Sequence, residues 1–296
     1  MDASSVRTER KDPVSFVPMK DLVDRAYRGG YAVPAFCTWN AESMQLILSV
    51  AERLKAPVIL MQGPGEFPVL APQAMADVAR ALDGLHHATA ALHLDHGDSL
   101  EMVRQCIAAR YTSVMLDFST RPFEENAAAL TEVVRLAHPH GITVEGEIGR
   151  VGKVDESSAE AGSVSALTDP AEAVRYAKLT GVDLLAVSVG NKHGFYKGEP
   201  HIEFGLLAEL HAAIPVPLVM HGGTGIPEKD IQKSIGMGIA KVNVASELIH
   251  GFRGSLMAQW AKGENLWTPL AVAAAIPAIE PAVEKWIRVT GAAGKA

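Results

Sequence analysis

Residues 31–61, YAVPAFCTWNAESMQLILSVAERLKAPVILM, decide the fold that the sequence predicts. Apolar runs at 31–36 and 57–61 flank a helical pattern at 41–55. Within that pattern, apolar side chains recur at i, i+3, i+4 and i+7, which is the spacing of an amphipathic helix. A strand, a crossover helix and a second strand are typical of a βαβ unit with parallel strands. The stretch therefore predicts an α/β protein.

The alternation continues to the end of the chain. Short apolar runs occur at 31–36, 57–61, 89–94, 113–117, 142–148, 184–189, 217–221 and 239–244, with helical patterns between them. Eight strand–helix pairs predict a (β/α)8 TIM barrel. The rival, a doubly wound open sheet, normally has a glycine-rich turn after its first strand, and AFCTWNAES (35–43) has none. Because no Pro/Ser/Gly linker divides the chain, we expect one domain over 1–296.

Composition narrows the classes of partner. A net charge of −7 with acidic and basic residues interspersed argues against a nucleic-acid-binding surface. Two cysteines are too few for a disulfide framework, so we expect a reducing cytoplasm. The longest apolar stretches are too short for a membrane span or contain polar residues, so we expect no membrane partner. The polar residues 1–12 are expected to be disordered.

Polar residues follow most of the predicted strands, where TIM barrels place their chemistry. They are Asn40, Asp95, His96, Asp117, Ser119, Asn191, His193, His221, Asn243 and Ser246. Asn40 could instead cap the next helix, and Asp117 could bind loop amides. Three histidines from three strand ends, His96, His193 and His221, predict a catalytic Zn²⁺ site with an open coordination position.

Carboxylates and glycines complete the pattern. Glu145 and Glu147 lie two apart on one strand, so both should face the barrel interior and support a metal. HGGTG (221–225) and NVASE (243–247) follow the last two strands, where this fold commonly binds phosphate through backbone N–H groups. Together with the basic Lys197, they predict a phosphate site.

Six motifs together resemble a known family. They are YAVPAF (31–36), HLDH (93–96), VEGEIGRVG (144–152), NKHGFYKGEP (191–200), HGGTGIP (221–227) and KVNVASE (241–247). In order and spacing they resemble the class II, zinc-dependent fructose- and tagatose-bisphosphate aldolases over about residues 15–290. The resemblance implies a lyase that reversibly cleaves a ketose 1-phosphate or 1,6-bisphosphate to dihydroxyacetone phosphate and an aldehyde.

The resemblance also implies residue roles. His96, His193 and His221 would hold the zinc, and Glu147 would serve a second or displaced position for a divalent or monovalent cation. Asp95 would exchange a proton with the C4 hydroxyl or the aldehyde oxygen. The phosphate of dihydroxyacetone phosphate would be bound by Gly194, Lys197, Gly222, Gly223, Thr224 and Ser246. Asn243 would bind the hydroxyl end of that product, and Asn40 is a further substrate-binding candidate.

The long segment 149–168 is expected to be a mobile active-site loop. In the family this loop carries a glutamate that handles the C3 proton, and here Asp155 and Glu156 are both candidates. A Schiff-base aldolase would need a lysine at a strand end, and Lys241 lies near the start of the last strand. Two other functions remain open, a non-catalytic barrel subunit of an aldolase complex and a metal-dependent hydrolase. We expect a homodimer or homotetramer.

The far end of the substrate is where the sequence departs from the family. Bisphosphate aldolases usually carry an Asp-Pro-Arg run near the C-terminus, but 267–285 has no basic residue before Lys285. A phosphate dianion without a basic partner binds poorly. Arg121, after the fourth strand, is our candidate for holding a carboxylate or sulfonate instead. Its alternative is a surface pair with Glu124 or Glu125.

Overall fold

The computed structural model describes residues 16–153, 165–196, 198–263 and 267–296. Its strands are β1 Val33–Cys37, β2 Val58–Gln62, β3 Ala90–Gly97, β4 Ser113–Leu116, β5 Thr143–Ile148, β6 Gly152–Lys153, β7 Leu184–Val187, β8 Lys192–His193, β9 Leu218–Met220 and β10 Ile239–Val244. Its α-helices are α1 Met19–Gly29, α2 Ala41–Leu54, α3 Pro72–Asp83, α4 Leu100–Ala108, α5 Phe123–Ala137, α6 Pro170–Thr180, α7 Phe204–Ala213, α8 Glu228–Ile235, α9 Ser246–Trp260, α10 Thr268–Ala275 and α11 Glu280–Val289. The segment 1–12, expected to be disordered, lies outside the described residues.

Eight strands close into a parallel barrel in the order β1, β2, β3, β4, β5, β7, β9, β10. Each of the eight apolar runs supplies one barrel strand, so the predicted (β/α)8 fold is confirmed. The strands β6 and β8 form a separate parallel pair in which Gly152 lies opposite Lys192. This pair places the short β8 beside the loop that follows β5.

The helices bury one face against the barrel, as their spacing predicts. In α2 the buried residues include Met44, Ile47, Leu48 and Ala51. Burying a side chain of the size of Leu or Ile stabilises the fold by about 1.5–3 kcal/mol. No helix in the described parts of the chain combines enough length and apolarity to cross a membrane.

One irregularity in the barrel bears on the site. The ladder between β3 and β4 shifts register between Leu94 and Gly97, so Asp95 and His96 together face the single residue Met115. His96 has φ 48°, in the left-handed region that non-glycine residues rarely adopt. A Cβ on Gly97 would lie 2.7 Å from the carbonyl oxygen of Met115, so this position requires glycine. The extra residue lets two consecutive side chains serve the same cavity.

Candidate active site

A cavity of about 490 Å³ opens at the carboxyl ends of the barrel strands. Many of the sequence-predicted residues line it, namely Asp95, His96, Asp117, Ser119, Glu147, His193, Gly194, Gly222, Thr224, Asn243 and Ser246. They come from strand ends far apart in the sequence, and the closed barrel brings them together. The cavity is the candidate active site.

The three predicted histidines meet at one point. One ring nitrogen each of His96, His193 and His221 lies within 4.8 Å of the other two. The buried Nδ1 of His221 forms no hydrogen bond with any described residue. Burial also lowers the pKa of His221, which favours the neutral imidazole that binds metals. Three imidazoles converging in this way fit the ligand set of a Zn²⁺ ion.

Carboxylates and an amide orient two of these histidines. His96 Nδ1 lies 2.8 Å from Asp117 Oδ2, and His221 Nε2 lies 2.8 Å from Glu145 Oε1. Asn191 donates a hydrogen bond of 2.9 Å to the carbonyl oxygen of His221. Burial would raise the pKa of Asp117. The hydrogen bond with His96 and the charge of the His96 imidazole outweigh this effect and lower the pKa of Asp117 below the usual value. Such outer partners fix the ring orientation that a metal site needs.

The floor of the site contains a fully buried ion pair. Lys241 Nζ lies 2.9 Å from Glu145 Oε2 and donates to Asn243 Oδ1 at 2.7 Å. Burial would raise the pKa of Glu145, but Lys241 and the hydrogen bond with His221 lower it to about 2. A buried pair persists only when it has further hydrogen bonds, which His221 and Asn243 supply here.

Asp95 is the carboxylate next to the histidine site. Asn243 Nδ2 donates a hydrogen bond of 3.0 Å to Asp95 Oδ1, and His93 Nε2 lies 3.6 Å from the same oxygen. Burial would raise the pKa of Asp95, but His96, His93 and Lys241 favour the charged form and hold it well below the usual value. This arrangement presents a carboxylate to the cavity in a fixed orientation.

Glu147 lies at a second possible cation position. Donor atoms of His96, Asp117 and Glu147 also lie within 4.8 Å of one another. Glu147 Oε2 is 3.4 Å from His221 Nδ1, so Glu145 and Glu147 approach the same histidine, as their two-residue spacing predicts. The two donor groups share His96, which makes them neighbouring positions.

The part of the cavity wall that follows β9 and β10 has the geometry of an anion site. Gly222 has φ 65°, and a Cβ there would collide with the carbonyl oxygen of Lys192, so only glycine fits. Ser246 is the first residue of α9, whose N-terminal amide groups favour an anion. Thr224 Oγ1 accepts a hydrogen bond of 3.4 Å from the Glu247 amide. Gly223 does not line the cavity, because its amide donates a hydrogen bond to the Asn243 carbonyl oxygen of β10.

Two of the other predicted residues, Asn40 and Arg121, do not line the cavity. Asn40 caps α2, because its side chain accepts a hydrogen bond from the Ser43 amide. Arg121 is exposed, with its guanidinium 5.8 Å from the centre of the Phe118 ring. Arg121 forms no ion pair with a described residue, so the alternative prediction, a surface pair with Glu124 or Glu125, is not found. Glu124 instead pairs with Arg175. Asp155, Glu156 and Lys197 lie outside the described residues.

Sequence reasoning missed two charged residues at the site, Arg150 and Glu66, and it set aside a third, Lys241, as lying near the start of its strand. Arg150 and Glu66 line the cavity, and Lys241 reaches its floor. Lys241 is two residues before Asn243, so strand alternation could have placed both on one face. Arg150 comes two residues after the end of β5, a position where a side chain can reach the mouth of the barrel. For Glu66 the sequence offers no comparable signal.

The fold and site together define a TIM-barrel protein with a candidate metal centre at the carboxyl ends of its strands. Residues 17–295 match the family described as fructose-bisphosphate aldolase class-II. The chain therefore belongs to the class-II fructose-bisphosphate aldolase family, whose members are lyases, and the resemblance of the six motifs is confirmed.

Solved structures agree with this family. The YdjI aldolase from Escherichia coli K12 is 30% identical with a TM-score of 0.83, over 95% of this chain and 99% of that one. A candidate fructose-1,6-bisphosphate aldolase from Coccidioides immitis is 26% identical with a TM-score of 0.85, over 94% and 97%. The fructose-bisphosphate aldolase of Campylobacter jejuni, 20% identical with a TM-score of 0.77 over 94% and 95%, shares the fold.

Proposed function

We propose that the protein is a zinc-dependent aldolase that reversibly cleaves a ketose 1-phosphate to dihydroxyacetone phosphate and an aldehyde. The observation that carries this proposal is the convergence of three imidazole nitrogens, within 4.8 Å of one another, beside the fixed carboxylate of Asp95. His96, His193 and His221 would hold the ion, and Glu147 would serve a second cation. We also propose a reducing cytoplasm as the compartment, since both cysteines are free thiols.

The three histidines would hold a zinc ion, which would supply a Lewis acid for the substrate's oxygen atoms. In cleavage, the Asp95 carboxylate accepts the C4 hydroxyl proton as the C3–C4 bond breaks. The electron pair of that bond stays with C3, and C4 becomes the aldehyde carbon. Asn243 keeps Asp95 oriented and binds a product hydroxyl. Asp155 or Glu156 then donates the proton that C3 requires.

The phosphate of dihydroxyacetone phosphate would lie against the wall formed by the loops after the last barrel strands. Backbone amides there and the Ser246 hydroxyl donate hydrogen bonds to an anion, and Lys197 would add a positive charge. The role that we propose for Gly223 is indirect, because it packs the loop against β10. These contacts would anchor the part of the substrate that all cleavable ketose 1-phosphates share.

For the aldehyde half we propose a tail that is not a phosphate dianion. Lys285, the first basic residue after residue 266, is paired with Glu247 at 2.8 Å. The described lining residues include the five carboxylates Glu66, Asp95, Asp98, Asp117 and Glu147. The negative charge of these carboxylates repels a second phosphate dianion at the aldehyde end of the substrate.

The test is metal removal followed by rescue. Ketose 1-phosphates are assayed for release of dihydroxyacetone phosphate before EDTA treatment, after it, and after zinc is restored. We expect loss and recovery of cleavage, and no trapping of substrate on the protein by borohydride. A non-catalytic subunit would release nothing at any stage, and a hydrolase would release inorganic phosphate without an aldehyde. Borohydride trapping on a lysine would overturn the mechanism.

A further inference from the structure

Arg150 is a cation in the cavity wall that forms no ion pair with a carboxylate of the described residues. Among the described residues that line the cavity, it alone carries a guanidinium or ammonium group. Its Nη2 donates a long hydrogen bond of 3.5 Å to the Thr120 carbonyl oxygen, and its buried Nε has no hydrogen-bond partner among the described residues. No described carboxylate forms an ion pair with it, although several line the same cavity. A half-buried guanidinium whose Nε–H has no acceptor in the described part of the chain costs free energy unless an anion binds it.

The backbone holds this residue in place. Gly149, with φ 80°, turns the chain at the end of β5. Arg150 then forms a two-way bridge with Ala166, with N···O distances of 2.8 and 3.0 Å. Because the main chain is fixed on both sides, the side chain leaves from a defined point on the wall. This wall, which includes Ser119 and Thr120, comes from the loops after β4 and β5, whereas the proposed phosphate site comes from those after β9 and β10.

We propose that Arg150 is a specificity-determining residue that binds a singly charged acid group, a carboxylate or a sulfonate, on the aldehyde half of the substrate. This inference rests on the proposed aldolase function. A guanidinium presents parallel N–H groups that match two oxygens of such an anion. One cation among five lining carboxylates suits a single negative charge better than a phosphate dianion. Arg150 thus takes the role that the sequence suggested for Arg121, which lies outside the cavity wall.

The experiment measures condensation of dihydroxyacetone phosphate with four aldehydes by the zinc-loaded enzyme. Glycolaldehyde is neutral, 4-oxobutanoate and sulfoacetaldehyde carry one negative charge, and glyceraldehyde 3-phosphate is a dianion. We expect kcat/KM to be highest for one of the singly charged aldehydes, and which of them is preferred identifies the acid group. Arg150→Gln should lower that value by about 10- to 100-fold, the range expected for hydrogen bonds to a charged group. With glycolaldehyde the same variant should change kcat/KM by less than about threefold.

Three further variants make the result specific. Arg150→Lys keeps the charge without the paired N–H groups, so it should recover part of the preference. Arg135→Gln removes an exposed arginine that pairs with Glu132 and is the matched control. Arg121→Gln tests the competing assignment.

The outcomes separate the two proposals. If no aldehyde condenses with dihydroxyacetone phosphate, the aldolase function fails and this inference fails with it. If glycolaldehyde reacts but the singly charged aldehydes gain nothing, the function stands and the inference is overturned. It is also overturned if Arg150→Gln reduces all four rates equally, or if the preference disappears in Arg121→Gln instead.

Discussion

Asp95 is the residue whose proposed chemistry can be tested separately from the proposed metal binding. Its carboxylate is hydrogen-bonded to Asn243, while the neighbouring His96 belongs to the histidine site. Asp95→Ala should lower kcat by about 10²–10⁴, which is the usual contribution of a general acid or base. Its zinc content, measured by atomic emission, should stay at the wild-type level. His96→Ala should lose zinc, and wild-type turnover in Asp95→Ala would refute the proton-transfer role.

Asp83, at the end of α3 and remote from the cavity lining, gives a pH-dependent stability. Both carboxylate oxygens are buried without a hydrogen bond to a described residue, and burial raises the pKa to about 7. The folded state therefore binds the proton more tightly than the unfolded state, so the free energy of unfolding falls between about pH 4 and pH 7. Asp83→Asn should be more stable than the wild type by about 2 kcal/mol at pH 8, with no advantage near pH 4.

Urea unfolding at pH 4.5 and pH 8 measures this difference. The control is Asp77→Asn on the same helix, where Arg80 lowers the pKa of an exposed carboxyl. Asp77 titrates below this pH window, so Asp77→Asn should change the free energy of unfolding by the same amount at both pH values. An equal effect of Asp83→Asn at both pH values would show that Asp83 is solvated.

Among the elements, β3 depends on one glycine. Gly97→Ala would place a Cβ 2.7 Å from the backbone oxygen of Met115 and force β3 and β4 apart. We expect a loss of about 1–3 kcal/mol in unfolding free energy and a fall in kcat of about 100-fold, because Asp95 and His96 would be misplaced. Gly254→Ala is the control, since a Cβ in that part of α9 meets nothing within 4 Å and alanine favours a helix. Wild-type activity in Gly97→Ala would contradict this account.

The elements also show what the sequence could and could not predict. The eight barrel strands were predictable because parallel strands buried on both faces are continuous apolar runs. The extra residue in β3 was not, because a bulge changes register without changing composition. Which arginine reaches the cavity depends on the path of the loops after β4 and β5, and loop paths have no periodic signal. Asn40 was ambiguous, since a cap and a ligand use the same side-chain oxygen.

At the scale of the whole molecule, an exposed apolar surface supports the predicted homodimer or homotetramer. Four large apolar side chains are 46–70% exposed, namely Met257 and Trp260 of α9, Trp267 just before α10, and Leu270 of α10. We expect light scattering to give two or four times the mass of one chain. Replacing Trp267 and Leu270 by Glu and Lys should give monomers, because burying large apolar side chains drives most association. Val69→Lys, at another exposed apolar site, is the control, and a monomeric wild type at all concentrations would disprove the assembly.

The domain division stays a prediction at this scale. A closed barrel accounts for all eight apolar runs, and the expected mobile loop at 149–168 includes residues 154–164, which the structure does not describe. Limited proteolysis can test both expectations together. A single resistant core with cleavage confined to that loop and the N-terminal residues is the expected pattern.

The register break in β3 has a consequence for protein engineering. A designer who copies only the histidines and Asp95 into another eight-stranded barrel would place them on a regular strand. Side chains then alternate, so either Asp95 or His96 would face the helices. The unit to transfer is therefore the four-residue segment 94–97, which includes His96 with its φ of 48° and Gly97. The shorter neighbouring strand β4, which accommodates the additional residue, must be transferred with it.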